Sequence, residues 1–308
     1  PDGDAMGASL AMYHFLILKG HIVTVVTPND YPDFLKWLPG SREALKFDMQ
    51  NRQAKSAIEE ASIIFLLDFN ALHRVGSDME NTLKDFIGTF IMIDHHQQPE
   101  DIAKYLFSDT SICSTCQMVY HFLEKLDDLG AINTEIAACL YTGIMTDTGS
   151  FRFPSVNAKT HHILAELIST GISHWEIHQD VYDNNRIDQL QLHGYAISEK
   201  LVLLNKDKNS IPAGFISLTK EELSRFNYKT GDTEGLVNVI LSLEGIKVGV
   251  LIQEKTDGIK MSFRSKDGVF VNELAKQHFN GGGHKYAAGG ISFDSMEVTL
   301  SRLLSLME

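Results

Sequence analysis

Through the first 180 residues, short apolar runs alternate with longer stretches of helical periodicity. Helical spacing covers 5–19, where Gly20 ends it, then 52–61 and 77–87. Strand-like runs cover 21–27 (HIVTVVT), 62–70 (SIIFLLDFN) and 89–94 (TFIMID). Strands separated by helices pair in parallel, because the chain crosses over before it returns. The crossover helices then cover both faces of the sheet. Helical patterns continue over 115–126, 133–145, 157–170 and 174–182, with a long polar one near 186–204.

From Ile211 the texture changes. Strand-like runs at 213–219 (AGFISLT), 247–255 (KVGVLIQEK), 258–265 (GIKMSFRS) and 289–294 (GGISFD) are separated by helical patterns at 220–226, 234–242, 271–279 and 296–307. The expected organisation is a larger α/β domain over 1–187 with a parallel sheet flanked by helices, a helical connector over 188–210, and a smaller α/β domain over 211–308. With 308 residues the chain can bury two cores.

No apolar run reaches membrane-spanning length, and no signal peptide is visible. Three cysteines make no disulfide framework. Cys113 and Cys116 have CxxC spacing but lack the second pair of a zinc ribbon, so a reducing, cytoplasmic setting fits best. The net charge of −13 is uneven. Residues 1–199 hold 13 Lys/Arg against 27 Asp/Glu, whereas residues 200–308 hold 14 against 13. Such a chain is not expected to coat long DNA.

Acids and histidines gather at the ends of the expected elements. Asp2 and Asp4 precede the first helix, Asp68 ends IIFLL, Asp94-His95-His96 ends a strand, and Asp147 follows the helical run 133–145. Each has an ordinary structural explanation. Asp4 is a suitable N-cap, Asp68 and Asn70 suit a turn or cap, and Asp147 suits a turn before a short strand. Their coincidence is harder to explain that way. Carboxyl ends of parallel strands share one rim of a sheet, where ligands bind. Several carboxylates packed there repel, and a pair of divalent cations removes that cost. Mixed carboxylate and imidazole ligands suit manganese or a similar first-row ion. A further stretch, NGGGHKYAAGG at 280–290, sets three glycines before a helix-like HKYAA, an arrangement that exposes backbone N–H groups to an anion. Arg264 and Lys285 supply cations nearby in sequence.

Taken in order, PDGDAMGAS, LLDFN, IDHHQQ and TDTGSFRF resemble the four motifs of the DHH phosphoesterase family, and SFRS with FNGGGHKYAAGG resembles its DHHA1 substrate-binding domain. The short two-domain layout is similar to the NrnA-like group of nanoRNases that also dephosphorylate 3′-phosphoadenosine 5′-phosphate (pAp). The family's first motif begins with a His four residues before the first Asp. That position falls before Pro1, so the first strand and this His are expected to be missing from this chain.

The resemblance implies a di-metal centre, with Mn2+ as the expected ion. Asp2 and Asp68 would hold one ion. Asp4, Asp68, His95 and Asp147 would hold the other, with Asp68 bridging. His96 would face the scissile phosphate, and Asp94 would orient its neighbours. Arg264 and Gly281, Gly282, Gly283 and His284 would hold the phosphate or nucleotide end of the substrate. The implied activity is hydrolysis of short RNA or pAp to nucleoside monophosphates. The rival readings are a phosphodiesterase for cyclic or linear dinucleotides and a non-catalytic, nucleic-acid-associated scaffold. The retained acids speak against the scaffold. Oligomeric state stays open between monomer and homodimer.

Overall fold

The computed structural model describes residues 1–204 and 211–307. Two compact units divide the chain, Pro1–Asn184 and Asn185–Glu308. The first unit runs α1 (Gly3–Leu18), β1 (Val26–Thr27), β2 (Leu45–Lys46), α2 (Asn51–Glu60), β3 (Ile63–Leu67), α3 (Ser77–Lys84), β4 (Thr89–Asp94) and β5 (Tyr105–Ser108). Helices α4 (Thr115–Lys125), α5 (Thr134–Asp147), α6 (Ala158–Ser169) and α7 (His174–Tyr182) complete it.

Strands β3, β4 and β5 form a parallel sheet in that order, with Leu67 opposite Ile93 and Asp94 opposite Ser108. Successive side chains leave a strand on opposite faces. Leu66 and Met92 therefore pack with Ala54 and Ile58 of α2 and Met79 of α3. Leu67 and Ile93 pack on the other face with Met6 of α1, Val119 of α4 and Ile144 of α5. Apolar residues on both faces explain why these strands read as continuous hydrophobic runs.

Two local expectations differ from the structure. Of 21–27 only Val26–Thr27 is a strand, with Val26 opposite Leu45. The residues before it have no ladder partner among the described residues, and β-branching alone does not make a strand. In addition, β5 is unanticipated, because four residues are too short for a periodicity to register.

Helices α1 and α5 cross at very close range. A Cβ added at Gly7 would lie 2.5 Å from the Cys139 carbonyl oxygen and 2.8 Å from Cys116 Sγ. One added at Gly143 would overlap Cys116 Sγ and stand 2.9 Å from Asp4 Oδ1. Glycine at these positions lets the start of α1 lie against α4 and α5.

The second unit holds α8 (Ile187–Glu199), β6 (Leu201–Leu204), β7 (Ala213–Leu218), α9 (Lys220–Arg225), α10 (Leu236–Ser242), β8 (Val248–Lys255), β9 (Gly258–Ser265), α11 (Val271–His278), β10 (Gly282–His284), β11 (Ala287–Ser292) and α12 (Met296–Met307). Its sheet has the order β10-β11-β9-β8-β7-β6, with β7 and β8 parallel and the other pairs antiparallel. Val250 and Ile252 face a core with Val271 of α11 and Leu303 of α12, while Leu251 faces one with Leu192 of α8 and Ile240 of α10. The helix expected over 186–204 stops at Glu199, and Leu201–Leu204 pairs with β7 instead. Residues 205–210 of the expected connector lie outside the described residues. Among the described residues no helix is long and apolar enough to cross a membrane.

Two glycine substitutions should act in opposite directions. Gly7→Ala overpacks the helix crossing and is expected to cost about 1–3 kcal/mol. Gly194→Ala, inside α8 with nothing within 4 Å of the added Cβ, is expected to stabilise by about 1 kcal/mol. Urea unfolding followed by circular dichroism reads both, and an unchanged midpoint for Gly7→Ala would contradict the close crossing.

Candidate metal centre

The first turn of α1 places two aspartates in different roles. Asp2, not Asp4, is the N-cap; its Oδ1 accepts from the backbone N–H groups of Asp4 and Ala5, each at 3.1 Å. The ordinary explanation of Asp4 as the helix cap therefore does not apply. Released from capping, Asp4 is buried and reaches the N-terminus of α4. There its Oδ2 accepts from Thr115 N–H at 2.6 Å and its Oδ1 from Cys116 N–H at 2.8 Å. A helix N-terminus offers unsatisfied N–H groups and a positive dipole end, so a carboxylate is well placed there.

Asp68 follows β3 in a left-handed conformation, φ 64°. Aspartate tolerates this region better than most residues. Its Oδ1 accepts from Thr115 Oγ1 at 2.9 Å. On the neighbouring strand, β4 ends at Asp94 and delivers His95 and His96. His95 Nδ1 lies 3.2 Å from the Ile112 carbonyl oxygen. A carbonyl can only accept, so Nδ1 carries a proton and Nε2 is the ring atom turned toward the carboxylates. That nitrogen faces Asp4 Oδ2 at 3.7 Å, Asp68 Oδ1 at 3.7 Å and Asp147 Oδ2 at 3.6 Å. These separations exceed hydrogen bonds. The Asp4, Asp68 and His95 ligand atoms lie within 4.8 Å of one another, with an Asp147 oxygen facing the same nitrogen, and this mixed carboxylate and imidazole donor set fits a divalent cation. Asp147 reaches the group from the last residue of α5, not from a turn before a strand; the residues after it form turns.

Charge tells the same story. Burial pushes the Asp68 carboxyl well above the usual carboxylate range, and Asp4, Asp2, Asp147 and Asp94 push it further. Burial also raises Asp4; Asp2 adds to the rise, while His95 and the two α4 N–H groups oppose it without cancelling it. Asp94 behaves differently. Burial works to raise it, yet hydrogen bonds from His96 outweigh burial and hold it below the usual range. The bonds run from His96 N–H to Asp94 Oδ2 at 2.8 Å and between His96 Nδ1 and Asp94 Oδ1 at 2.7 Å. Asp94 thus orients His96 with both oxygens.

Within this unit, Asp4, Asp68 and His95 offer ligand atoms within 4.8 Å of one another, and so do Asp68, Asp94 and His96. Asp68 belongs to both groups. Asp2 is close enough to raise Asp4 and Asp68 but is exposed and committed to its cap. Cys113, Cys116 and Cys139 are buried free thiols. Burial pushes Cys113 up to about 12 and Cys116 well up, so both stay protonated packing residues. Thr115 joins the site although it is neither acid nor histidine, and nothing local in the sequence signals that the start of α4 meets Asp4 and Asp68.

In the second unit, the expected helix over HKYAA is absent. Gly282–His284 is strand β10, paired with β11 through Gly282–Gly289, Gly283–Ala288 and His284–Ala287. The glycines answer to the close approach of these two backbones: a Cβ at Gly283 would lie 2.6 Å from the Ala287 carbonyl oxygen, and one at Gly281 would overlap the Gly289 carbonyl. Ala287 also pairs with Arg264 of β9. Arg264 and His284 therefore lie in one cross-strand row, about 10 Å apart by strand spacing. Arg264 Nη1 donates to the Phe263 carbonyl oxygen at 3.0 Å.

Residues 1–144 match the model of the DHH family, N-terminal domain, and residues 215–306 match the DHHA1 domain. The chain is 30% identical to the bifunctional oligoribonuclease and PAP phosphatase NrnA of Thermus thermophilus, over 94% of this chain and 80% of that protein. It is 27% identical to the protein of the same description from Bacillus subtilis, over 97% of this chain and 96% of that one. The crystal structure of an exopolyphosphatase-related protein from Bacteroides fragilis is 41% identical and superposes with a TM-score of 0.91, covering 100% of this chain and 88% of that one. With its acidic strand ends in the first unit and the glycine hairpin in the second, the chain belongs to the DHH family and carries a DHHA1 domain.

Proposed function

We propose that this chain is a metal-dependent phosphoesterase that hydrolyses short oligoribonucleotides and pAp to nucleoside monophosphates. The observation that carries the reading is the His95 Nε2 atom faced by Asp4, Asp68 and Asp147 oxygens at 3.6–3.7 Å. The descriptions of the Thermus and Bacillus relatives supply the substrate class.

Asp4, Asp68, His95 and Asp147 would hold one divalent ion, and Asp2 with Asp68 a second, Mn2+ being the ion this donor set suits. Bound there, the ions would supply Lewis acidity toward the phosphate and a water of lowered pKa. The chain's own residues do the rest. His95 is fixed by its bond to Ile112, so its ring cannot turn away from the carboxylates. His96, gripped by Asp94, meets the scissile phosphate and stabilises the charge that develops on it. Arg264 and the Gly281–His284 segment hold a terminal phosphate or nucleotide of the substrate. The deciding experiment compares initial rates with Mn2+ on pAp, a linear dinucleotide, a five-residue RNA, a cyclic dinucleotide and polyphosphate. A preference for the cyclic dinucleotide or polyphosphate would replace the substrate assignment.

Three outcomes are expected. Asp68→Asn should lose metal by elemental analysis yet melt at a higher temperature than the wild type when both are metal-free. Burial raises the folded-state pKa of Asp68, so the folded chain holds a proton that the unfolded chain releases. Stability of the metal-free wild type therefore falls as pH rises from the ordinary aspartate range up to that raised pKa, and Asn removes this loss. An equal or lower melting temperature for the variant at neutral pH would contradict the charge argument.

Arg264→Ala should raise KM on substrates with a terminal phosphate by roughly ten- to a hundredfold, as expected for losing a charge-assisted hydrogen bond of about 1.5–3 kcal/mol. Substrates without that phosphate should be indifferent, and an equal loss on them would refute the role. Finally, rates on 5′-phosphorylated RNA of two to twenty-four residues should fall steeply beyond about five nucleotides. The near-balance of charge over 200–308 gives no basic stripe for a long strand. Twenty-four-mers cut as fast as dimers, with a steep salt dependence, would point to a processive exonuclease.

A further inference from the structure

We infer that Thr115 is a positioning residue of the metal centre, its backbone N–H fixing Asp4 and its hydroxyl fixing Asp68. The inference rests on the metal reading above and adds to it a residue outside every acid or histidine motif. Thr115 is fully buried as the first residue of α4. Its N–H donates to Asp4 Oδ2 at 2.6 Å and its Oγ1 donates to Asp68 Oδ1 at 2.9 Å. Those two oxygens are the ones that stand 3.7 Å from His95 Nε2. One residue therefore grips the two carboxylate oxygens that face His95 Nε2.

The helix does not need this hydroxyl for itself. Ser114 is the N-cap, and its Oγ accepts from Gln117 N–H at 3.1 Å. Asp68, by contrast, needs a tether. It sits just past the end of β3 at φ 64°, among carboxylates that repel it. A donor at its Oδ1 sets which oxygen faces His95. The same Oδ1 also faces His96 Nδ1 at 3.8 Å, so this one tether fixes Asp68 toward both histidines. Hydrogen-bond partners of this kind typically govern metal affinity ten- to a hundredfold.

The test uses Mn2+ alone, titrated into the full chain by calorimetry, for the wild type, Thr115→Val and Thr115→Ser. Valine keeps the shape and the backbone N–H but loses the hydroxyl; serine keeps the hydroxyl and loses the methyl. The expected result is Mn2+ binding about ten- to a hundredfold weaker in Thr115→Val and near the wild type in Thr115→Ser, with circular dichroism showing both variants folded. Thr115→Val binding Mn2+ as tightly as the wild type would overturn the inference alone. Thr115→Ser failing while Thr115→Val succeeds would also overturn it, because the methyl and not the hydroxyl would then be what the site requires. A wild-type chain that takes up no Mn2+ would instead overturn the metal reading beneath it.

Discussion

The Asp4 carboxylate bound to the first two N–H groups of α4 is the contact on which the first unit's chemistry depends. It joins the start of α1 to the start of α4, and it brings a buried charge to the positive end of a helix. Hydrogen bonds to a charged group contribute about 1.5–3 kcal/mol each. Without them a carboxylate this deeply buried would be protonated or expelled. The contact demands that three helices meet almost backbone to backbone. Gly7 and Gly143 make that approach sterically allowed, and Cys116 occupies the space between them.

From that anchor the rest of the cluster follows. The parallel register sets Leu67 opposite Ile93, so Asp68 and the segment Asp94-His95-His96 leave neighbouring strands at the same rim. Two aspartates at the ends of adjacent strands are then driven in opposite directions. His96 satisfies Asp94 and lowers it, whereas Asp68 is crowded by other acids and rises. Environments that separate the pKa values of like groups mark a division of roles. Asp94 is satisfied by its neighbour His96, and Asp68 is left among acids in a setting that a positive charge would relieve.

The second unit shows how one sequence feature can carry two physical meanings. A run of glycines before a positively charged stretch suits an anion cradle at a helix start. Here Gly281 and Gly283 allow the hairpin to close, because a side chain at either would strike a carbonyl oxygen of β11, whereas Gly282 faces open space. The hairpin nonetheless sets His284 and Arg264 on either side of Ala287, so the residues linked by motif are also linked by register.

Much of this protein is legible in the order of its residues. The alternation of helical and strand periodicity specifies a parallel sheet covered on both faces, and strand β4 appears over the same residues, 89–94, that the sequence pattern picks out. The acids and histidines at strand ends are visible too, because a strand's end is marked by its own neighbours. The short strand β5, the exchange of capping roles between Asp2 and Asp4, and the hairpin in place of a helix after Gly283 are not visible. Each depends on a partner distant in the chain. Asp4 meets Thr115 across 111 positions, and no local propensity encodes that distance. The sequence by itself determined which side chains end each strand, since periodicity is a property of neighbours. Only the tertiary structure decided which of those side chains share one space around His95 Nε2, because that follows from helix crossings and strand register set by packing of the whole core.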